Sequence, residues 1–457
     1  MNYPFKSKPP SVSLCMIVKN EEFYLRDCLK SVADLVDEIV VIDTGSDDKT
    51  LEILHEFGVE PHTFAWINDF AAARNEALKY ASCDWIFQID ADERLLPESR
   101  NELRRSLRNK KATTISVLID SPKAAGKGHI SRAHRLFRNL PGIGYSGRIH
   151  EQISPSVAKL RGREGESNIR LHHLGYEKSE AEMQAKSERN YRLLKKQVED
   201  EPNHPYWHFT LAQNQILSGS YEDALLSLNR ALELGQLPKD ITCSIFNNLA
   251  EVHMRLRKFP EAIQFAHKAL AVTAKQSTSH LLLLQIYGHL SDRPQQIRCL
   301  EAVVDLREKK IQALHEVSLE AYVDETAIYL NLGRFYSQER RFEQALATFQ
   351  KILRRDPENL VALKGIAEAS LELGRFEQAQ SYFEQLQMLS PKDPQILEKL
   401  AWLYIKVQDF KKAIKIYSEL QRLQPENVNI RKRLAALYYK TGDAATGQEY
   451  LAALSAN

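Results

Sequence analysis

No stretch of this sequence approaches the roughly 18 consecutive apolar residues that carry a helix across a bilayer. The earliest apolar run, Val12–Val18, is short and stops at Lys19-Asn20-Glu21-Glu22, so no secretory pattern is present. Cysteine is scarce: Cys15, Cys28, Cys83, Cys243 and Cys299 are five in all, odd in number and without a C-x-x-C pair. That argues against a disulfide or zinc framework and fits a reducing compartment. An excess charge of one sign is missing too. Lys+Arg 62 against Asp+Glu 60 leaves +2, which gives no basic field for nucleic acid or an acidic membrane. These absences predict a cytoplasmic protein with no integral membrane segment and no nucleic-acid partner. With 43% hydrophobic and 27% charged residues the composition is that of a soluble globular protein. At roughly 100–200 residues per domain, 457 residues predict two to three domains.

The chain is organised around Trp85-Ile86-Phe87-Gln88-Ile89-Asp90-Ala91-Asp92-Glu93, an apolar run that delivers carboxylates at its end. Side chains two apart on an extended chain share a side, so Asp90 and Asp92 converge while Ala91 turns away. Two convergent carboxylates at the carboxyl end of a parallel strand suit a hard divalent cation bridged to phosphate oxygens. The competing role for such a triplet is a helix cap or a solvated turn.

Around it, strands and helices alternate. Ser13–Val18 is a continuous apolar run, as in a strand covered on both faces, and Asn20 is placed to cap the helix after it. Leu25, Cys28, Leu29, Val32 and Val36 then recur at helical spacing. A second run, Glu38–Ile42, ends in Asp43-Thr44-Gly45-Ser46-Asp47-Asp48, and Leu51, Leu54 and Phe57 mark the next helix. This order predicts a parallel α/β sheet with Asn20, Asp43 and Asp90 at its carboxyl edge. In Asn68-Asp69-Phe70-Ala71-Ala72-Ala73-Arg74-Asn75 the alanines suit a helix packed closely on the sheet. Arg74 is either a phosphate or carboxylate partner facing the site or a solvated side chain. Further on, Thr113–Asp120 and His134–Arg138 read as strands, Gly126-Lys127-Gly128 as a loop and Pro141–Gly144 as a turn.

Four blocks make a resemblance specific: Val-Lys-Asn-Glu-Glu at 18–22, Asp-Thr-Gly-Ser-Asp-Asp-Lys-Thr at 43–50, Asn-Asp-Phe-Ala-Ala-Ala-Arg-Asn at 68–75 and Asp-Ala-Asp-Glu at 90–93. In order and spacing they resemble family 2 glycosyltransferases, which have the GT-A fold. The resemblance implies inverting transfer from a nucleotide sugar, most often UDP-linked, with Mg²⁺ or Mn²⁺. By position it implies that Val18, Asn20 and Asp43 hold the base and ribose, that Asp69 and Asp90 also contact the nucleoside, and that Asp92 binds the metal. Glu151 falls where these enzymes place an acidic catalytic base, although an acidic pair is common there and this chain has His150-Glu151. The end of the domain, Leu171-His172-His173-Leu174-Gly175-Tyr176, resembles similar transferases in which the His of His-X-Gly-Tyr completes the metal site, a register that His173 fits.

The second half is repetitive. Ser179–Asp200 reads as an amphipathic helix with Met183, Tyr191, Leu194 and Val198 inward. Pro357, Pro391 and Pro425 recur every 34 residues (391 − 357 and 425 − 391), each behind the same pattern of small and aromatic residues, such as Leu400, Ala401, Tyr404, Ala413 and Tyr417. This resembles the tetratricopeptide repeat. Weaker copies upstream bring the count to about seven, with a register break near 309–325 where an extended helix or a joint would sit.

The expected fold is thus an α/β N-terminal GT-A (Rossmann-like) domain over 1–178, a connecting helix over 179–204, and an all-α tetratricopeptide-repeat solenoid over 205–457. The order is similar to that of sublancin-type S-glycosyltransferases. The expected activity is metal-dependent, inverting hexosyl transfer from a UDP-sugar, with the chemistry ahead of Tyr176 and the repeats offering a groove to a peptide or protein acceptor. A saccharide or envelope precursor as acceptor, a scaffold with an inactive transferase-like domain, and a nucleotidyltransferase are the competing readings.

Overall fold

The computed structural model describes residues 9–121, 129–174, 180–309, 320–321 and 324–455. Gly126-Lys127-Gly128, Gly175-Tyr176, the side chain of Met183 and most of the 309–325 break lie outside the described residues.

The first apolar run forms β1 (Val12–Val18), buried along nearly all its length because it lies between two parallel neighbours, β2 (Glu38–Asp43) and β4 (Trp85–Gln88). A short β3 (His62–Thr63) extends β2. The remaining strands are β5 (Glu93–Leu95), β6 (Thr114–Ser121), β7 (His129–Arg138) and β8 (Glu164–His173). The order across the sheet is β3-β2-β1-β4-β7-β6-β8-β5, with β9 (Glu320–Ala321) added to β7. The expected parallel sheet is found only over β1–β4. Beyond β4 the sheet is mixed, since β7 runs antiparallel to both β4 and β6 while β8 is parallel to β6. The parallel part is what matters for the site: Val18, Asp43 and Gln88 end three strands on one edge.

Helix α1 (Leu25–Val32) buries Leu25, Cys28, Leu29 and Val32, the helical-period positions. Helix α2 (Thr50–Glu56) follows β2. Helix α3 (Phe70–Tyr80) packs over β1 and β2 through Ala71, Ala73 and Ala77, small enough to bring its backbone close to the sheet. Two short helices, α4 (Arg100–Ser106) and α5 (Ser154–Lys159), complete the domain.

Next comes α6 (Glu180–Asp200). Of the expected inward positions, Leu194 is buried and Val198 packs beside it, while Tyr191 is turned out. Tyr191 is 37% exposed, while Leu193, Leu194 and Gln197 are buried, because the helix meets Ile149 and Leu211 along the 193/194/197 stripe. Six helix pairs follow among the described residues: α7 (Pro205–Leu217) with α8 (Tyr221–Leu234), α9 (Lys239–Arg255) with α10 (Phe259–Val272), α13 (Glu325–Gln338) with α14 (Phe342–Leu353), α15 (Leu360–Glu372) with α16 (Phe376–Leu389), α17 (Pro394–Lys406) with α18 (Phe410–Leu423), and α19 (Val428–Lys440) with α20 (Ala444–Ser455), while α11 (Ser277–His289) and α12 (Arg293–Glu308) come between the second and third pairs in the chain. Asn359, Asp393 and Asn427 cap the first helix of three of these pairs, accepting from backbone N–H groups that have no partner within the helix. Fully buried Ala345, Ala379 and Ala413 let paired helices approach, and Phe349, Phe383 and Tyr417 fill the space between them.

The chain divides into two compact units, and the division does not fall between sheet and repeats. Residues 1–286 with 306–322 form one, and 287–305 with 323–457 form the other. The first two helix pairs therefore belong with the sheet.

Phe349 lies between two helical glycines. A Cβ on Gly333 would come within 2.7 Å of its ring, and one on Gly365 within 2.6 Å of Cδ2. Alanine gains up to about 1 kcal/mol of helix propensity, but Phe349 is itself buried and has no room to yield. We expect Gly365→Ala to lower stability by roughly 1–3 kcal/mol through overpacking, and Gly365→Ala with Phe349→Leu to recover part of it. Urea unfolding measures both, and a stabilised single variant would contradict the packing described.

Candidate active site

The loops after β1 and β2 are tied to each other at the sheet edge. Thr44 donates from both its backbone N and its Oγ1 to the Val18 carbonyl, each at 3.0 Å. Asn20 sits in the left-handed region at φ +55°, which its short polar side chain tolerates, and its Oδ1 accepts from Asp47 N at 2.9 Å. Its own N–H reaches Ser46 Oγ at 3.0 Å. Asp43 is buried and closes the turn that follows, accepting from Gly45 N at 3.1 Å and from Ser46 Oγ at 2.6 Å. Val18, Asn20 and Asp43 are thus brought together, and much of their hydrogen-bonding capacity already holds the two loops. Asp69 stands apart as the N-cap of α3, accepting from Ala72 N at 2.9 Å.

The acidic block is not an extended strand. β4 stops at Gln88, and the chain turns so that Glu93 N donates to the Asp90 carbonyl at 2.9 Å while Asp90 N donates to Glu93 Oε2 at 2.9 Å. Period-two alternation therefore ends before Asp90. Ala91 is buried, Asp90 meets two arginines and Asp92 meets a histidine.

Asp90 accepts from Arg74 Nη2 at 2.8 Å and Gln88 Nε2 at 2.9 Å on one oxygen, and from Arg135 Nη2 at 2.9 Å on the other. Arg135 Nη2 also reaches Glu93 Oε1 at 2.9 Å, and Arg74 Nε donates to Glu151. Arg74 is only 7% exposed, so it faces the site, engaged by carboxylates. Burial opposes charge throughout this group, and pairing decides the outcome. For Asp90 burial is outweighed by Arg135 and Arg74, which hold the carboxyl well below the usual carboxylate range. For Arg74 burial is outweighed by Asp90 and Glu151, which keep the guanidinium charged. Glu93, 1% exposed, is pushed up to about 7 by burial and by Asp90 despite Arg135. Arg135 and Glu93 carried no recognisable signal in sequence: one lies inside a strand, the other reads as the tail of the acidic block.

A second pair forms where β5 runs antiparallel to β8, with Glu93 opposite His173 in register. Leu174 N donates to the Asp92 carbonyl at 2.9 Å, and His173 Nδ1 lies 3.5 Å from Asp92 Oδ1. Burial lowers the affinity of the imidazole for a proton, but Asp92 outweighs it and raises the His173 pKa. Among the described residues no group of three or more His, Cys, Asp or Glu is arranged to hold a metal by protein ligands alone. Asp92 and His173 are the two that could supply part of such a set.

A cavity of about 940 Å³ opens beside the charged network. Arg74, Asp90, Arg135, Tyr145, His150 and Glu151 line it from the sheet domain, while Lys239, Asp240, Ser244 and Asn247 line it from α9. Val18, Asn20, Asp43, Asp69, Asp92 and His173 are not among its lining residues. A helix of the second pair thus supplies part of the cavity wall.

Comparison with known proteins follows this geometry. Residues 13–154 match the pattern of Glycosyl transferase family 2, and residues 242–275, 336–403 and 398–457 match tetratricopeptide repeat patterns. A TPR repeat-containing protein of Synechococcus elongatus is 34% identical over 265 residues, which cover 57% of this chain and 66% of that protein. The SPbeta prophage-derived glycosyltransferase SunS of Bacillus subtilis is 30% identical over 230 residues, 50% of this chain and 54% of the relative. An uncharacterized glycosyltransferase of Rickettsia felis is 33% identical over 92 residues, 20% of this chain and 32% of its own. The chain thus spans 66% and 54% of the lengths of the first two relatives.

The network has a direct consequence for stability. Arg135→Met removes the cation that Asp90 and Glu93 share and leaves buried charge without its partner. Unfolding in urea should show a loss of roughly 3–5 kcal/mol, the usual cost of breaking one side of a buried pair. A loss under about 1 kcal/mol, the range of exposed pairs, would mean that solvent reaches the network.

Proposed function

We propose that this chain, which joins a family 2 glycosyltransferase domain to tetratricopeptide repeats, transfers a hexosyl group from a nucleoside diphosphate sugar to an acceptor, with inversion at the anomeric carbon. The observation that carries the reading is the position of Glu151, whose carboxylate is held by buried Arg74 at the wall of the cavity. A base must stand within hydrogen-bond reach of the acceptor's proton, and a carboxylate fixed in this way is aimed. The acceptor heteroatom attacks the anomeric carbon from the face opposite the diphosphate. Its proton passes to Glu151, the new glycosidic bond forms, and the bond from carbon to diphosphate oxygen breaks.

Val18, Asn20 and Asp43 offer the edge for base and ribose, with UDP the preferred nucleotide. Asp90 would contact the nucleoside while its charge is fixed by Arg74 and Arg135. Asp69, as a helix cap, would act on the donor only by placing α3. The donor set of Asp92 and His173 fits Mg²⁺ or Mn²⁺ by its chemistry: the Asp92 carboxylate and the His173 imidazole, 3.5 Å apart, would hold the cation from the protein side. When bound there, the cation supplies charge neutralisation for the leaving diphosphate. His150, beside Glu151, has φ +52° and is exposed, placed to touch the acceptor.

The acceptor class that suits a repeat array is a peptide or protein, because stacked helix pairs present an extended surface. A cytoplasmic setting is supported by five cysteines that form no disulfide among the described residues. No helix among the described residues is long and apolar enough to cross a membrane.

Two substitutions test the reaction. Asp92→Ala should abolish both transfer and nucleotide-sugar hydrolysis while the circular dichroism spectrum stays unchanged. Near-normal turnover at saturating Mn²⁺ would remove Asp92 from the cation site. Glu151→Gln keeps an oxygen for Arg74 but cannot take a proton. Its turnover should fall by about 10²–10⁴-fold, with UDP affinity by calorimetry unchanged. Wild-type turnover in that variant would rule Glu151 out as the base.

A further inference from the structure

Glu151 sits in a segment, residues 145–153, that has almost no structure of its own. One isolated bridge closes it, Ser146 N to the Gln152 carbonyl at 3.0 Å and Gln152 N to the Ser146 carbonyl at 2.9 Å. Two of its residues, Gly147 at φ +98° and His150 at φ +52°, lie in the left-handed region. Such a loop does not hold a carboxylate in place unless something outside it does.

The external support comes from α6 and α7. The Trp207 indole lies against the Gly147 backbone so closely that a Cβ at Gly147 would meet its Cη2 and come within 2.9 Å of its Cζ2. Trp207 is 2% exposed, and its Nε1 donates to Glu201 Oε2 at 3.3 Å. The other oxygen of Glu201 accepts from Gln197 Nε2 at 2.7 Å, and Gln197 Oε1 in turn accepts from the loop's own Arg148 N at 2.7 Å. A closed path thus runs from the loop backbone through Gln197 and Glu201 to the indole and back to the loop. Gln152 donates to Tyr206 Oη, and Ile149 is buried among Leu193, Leu194 and Leu211. On the far side the Arg148 carbonyl accepts from Phe70 N at 2.9 Å, which fastens the same loop to the start of α3, the helix that carries Arg74.

We infer that Trp207 is a positioning residue for Glu151, and that the first helix of the repeat array is in this sense part of the catalytic apparatus. The inference rests on the assignment of Glu151 as base. Trp207 touches no reacting atom. It fills the space over Gly147 and fixes Glu201, so that the loop has one conformation and the carboxylate one place. Loss of the indole opens that space, frees Glu201 and lets the loop move, while Val18, Asn20 and Asp43 are untouched.

The test uses the full chain as wild type, Trp207→Ala, Trp207→Phe and Leu228→Ala. Leu228 is buried in the α7–α9 core away from the loop, so it controls for a general loss of packing. Hydrogen exchange of residues 145–153 should quicken in Trp207→Ala, stay near wild type in Trp207→Phe, and be unchanged in Leu228→Ala. With UDP-sugar as donor, Trp207→Ala should lose roughly 10²-fold in kcat, as for a misplacement of about 1 Å. Its UDP affinity by calorimetry should be unchanged, and Trp207→Phe should recover most of kcat. Unchanged exchange over 145–153 in folded Trp207→Ala, or an equal fall in kcat in Leu228→Ala, overturns the inference. If Trp207→Ala does not fold, Trp207→Leu, which also lacks the indole and its N–H, carries the exchange comparison, and unaltered protection of residues 145–153 in it overturns the inference. Exchange does not depend on turnover: a wild type inactive on every nucleotide sugar would count against the proposed reaction, while exchange would still decide the role of Trp207.

Discussion

The structure depends on a buried exchange of charge between two arginines and three carboxylates. Arg74 comes from α3, Arg135 from β7, Asp90 from the turn after β4, Glu93 from β5 and Glu151 from the loop before α5. Burial would cost each of these groups part of its hydration if it stood alone. Together they pair with one another and lock five segments at one point. The arrangement also explains the local chain path. Asp90 must face both arginines and Glu93 must turn back to Arg135, so the chain leaves the strand at Gln88 and forms a turn.

The same constraint separates the tasks of neighbouring acids. Asp90 is fully engaged by guanidinium groups, which suits a fixed electrostatic element. Asp92, two residues on, escapes the network because the turn directs it to β8 and His173. Two carboxylates that look equivalent in the chain thus receive different neighbours.

Joining the repeats to the sheet also has a physical basis. The first two helix pairs fall within the compact unit that contains the sheet, and Ile149, Gly147 and Gln152 meet α6 and α7 directly. A repeat array contacts mainly its own neighbours, so its end needs a surface to cover it, and here the loop of Glu151 provides one. α9 also lines the cavity beside Glu151.

What the sequence determined by itself was whatever rests on local periodicity. Continuous apolar runs marked β1, β2 and β4, helical spacing marked the buried side of α1 at Leu25, Cys28, Leu29 and Val32, and the 34-residue recurrence marked the helix pairs. Polar residues at strand ends singled out Asn20, Asp43, Asp90 and Asp92, and the domain order was legible from the motif blocks and repeats. Contacts between distant segments were not legible. Arg135 lies 45 residues from Asp90, and its strand looks like any other until β7 is placed antiparallel beside β4. The buried stripe of α6 keeps the expected Leu194 and Val198, adds Leu193 and Gln197 and leaves Tyr191 out, because the surface it meets lies at Ile149 and Arg148, far away in the chain. Trp207 belongs to none of the motifs read from the sequence, and its seat on Gly147 appears only in the fold. Periodicity records which side of an element is buried. Which residue it is buried against is decided when the chain closes on itself.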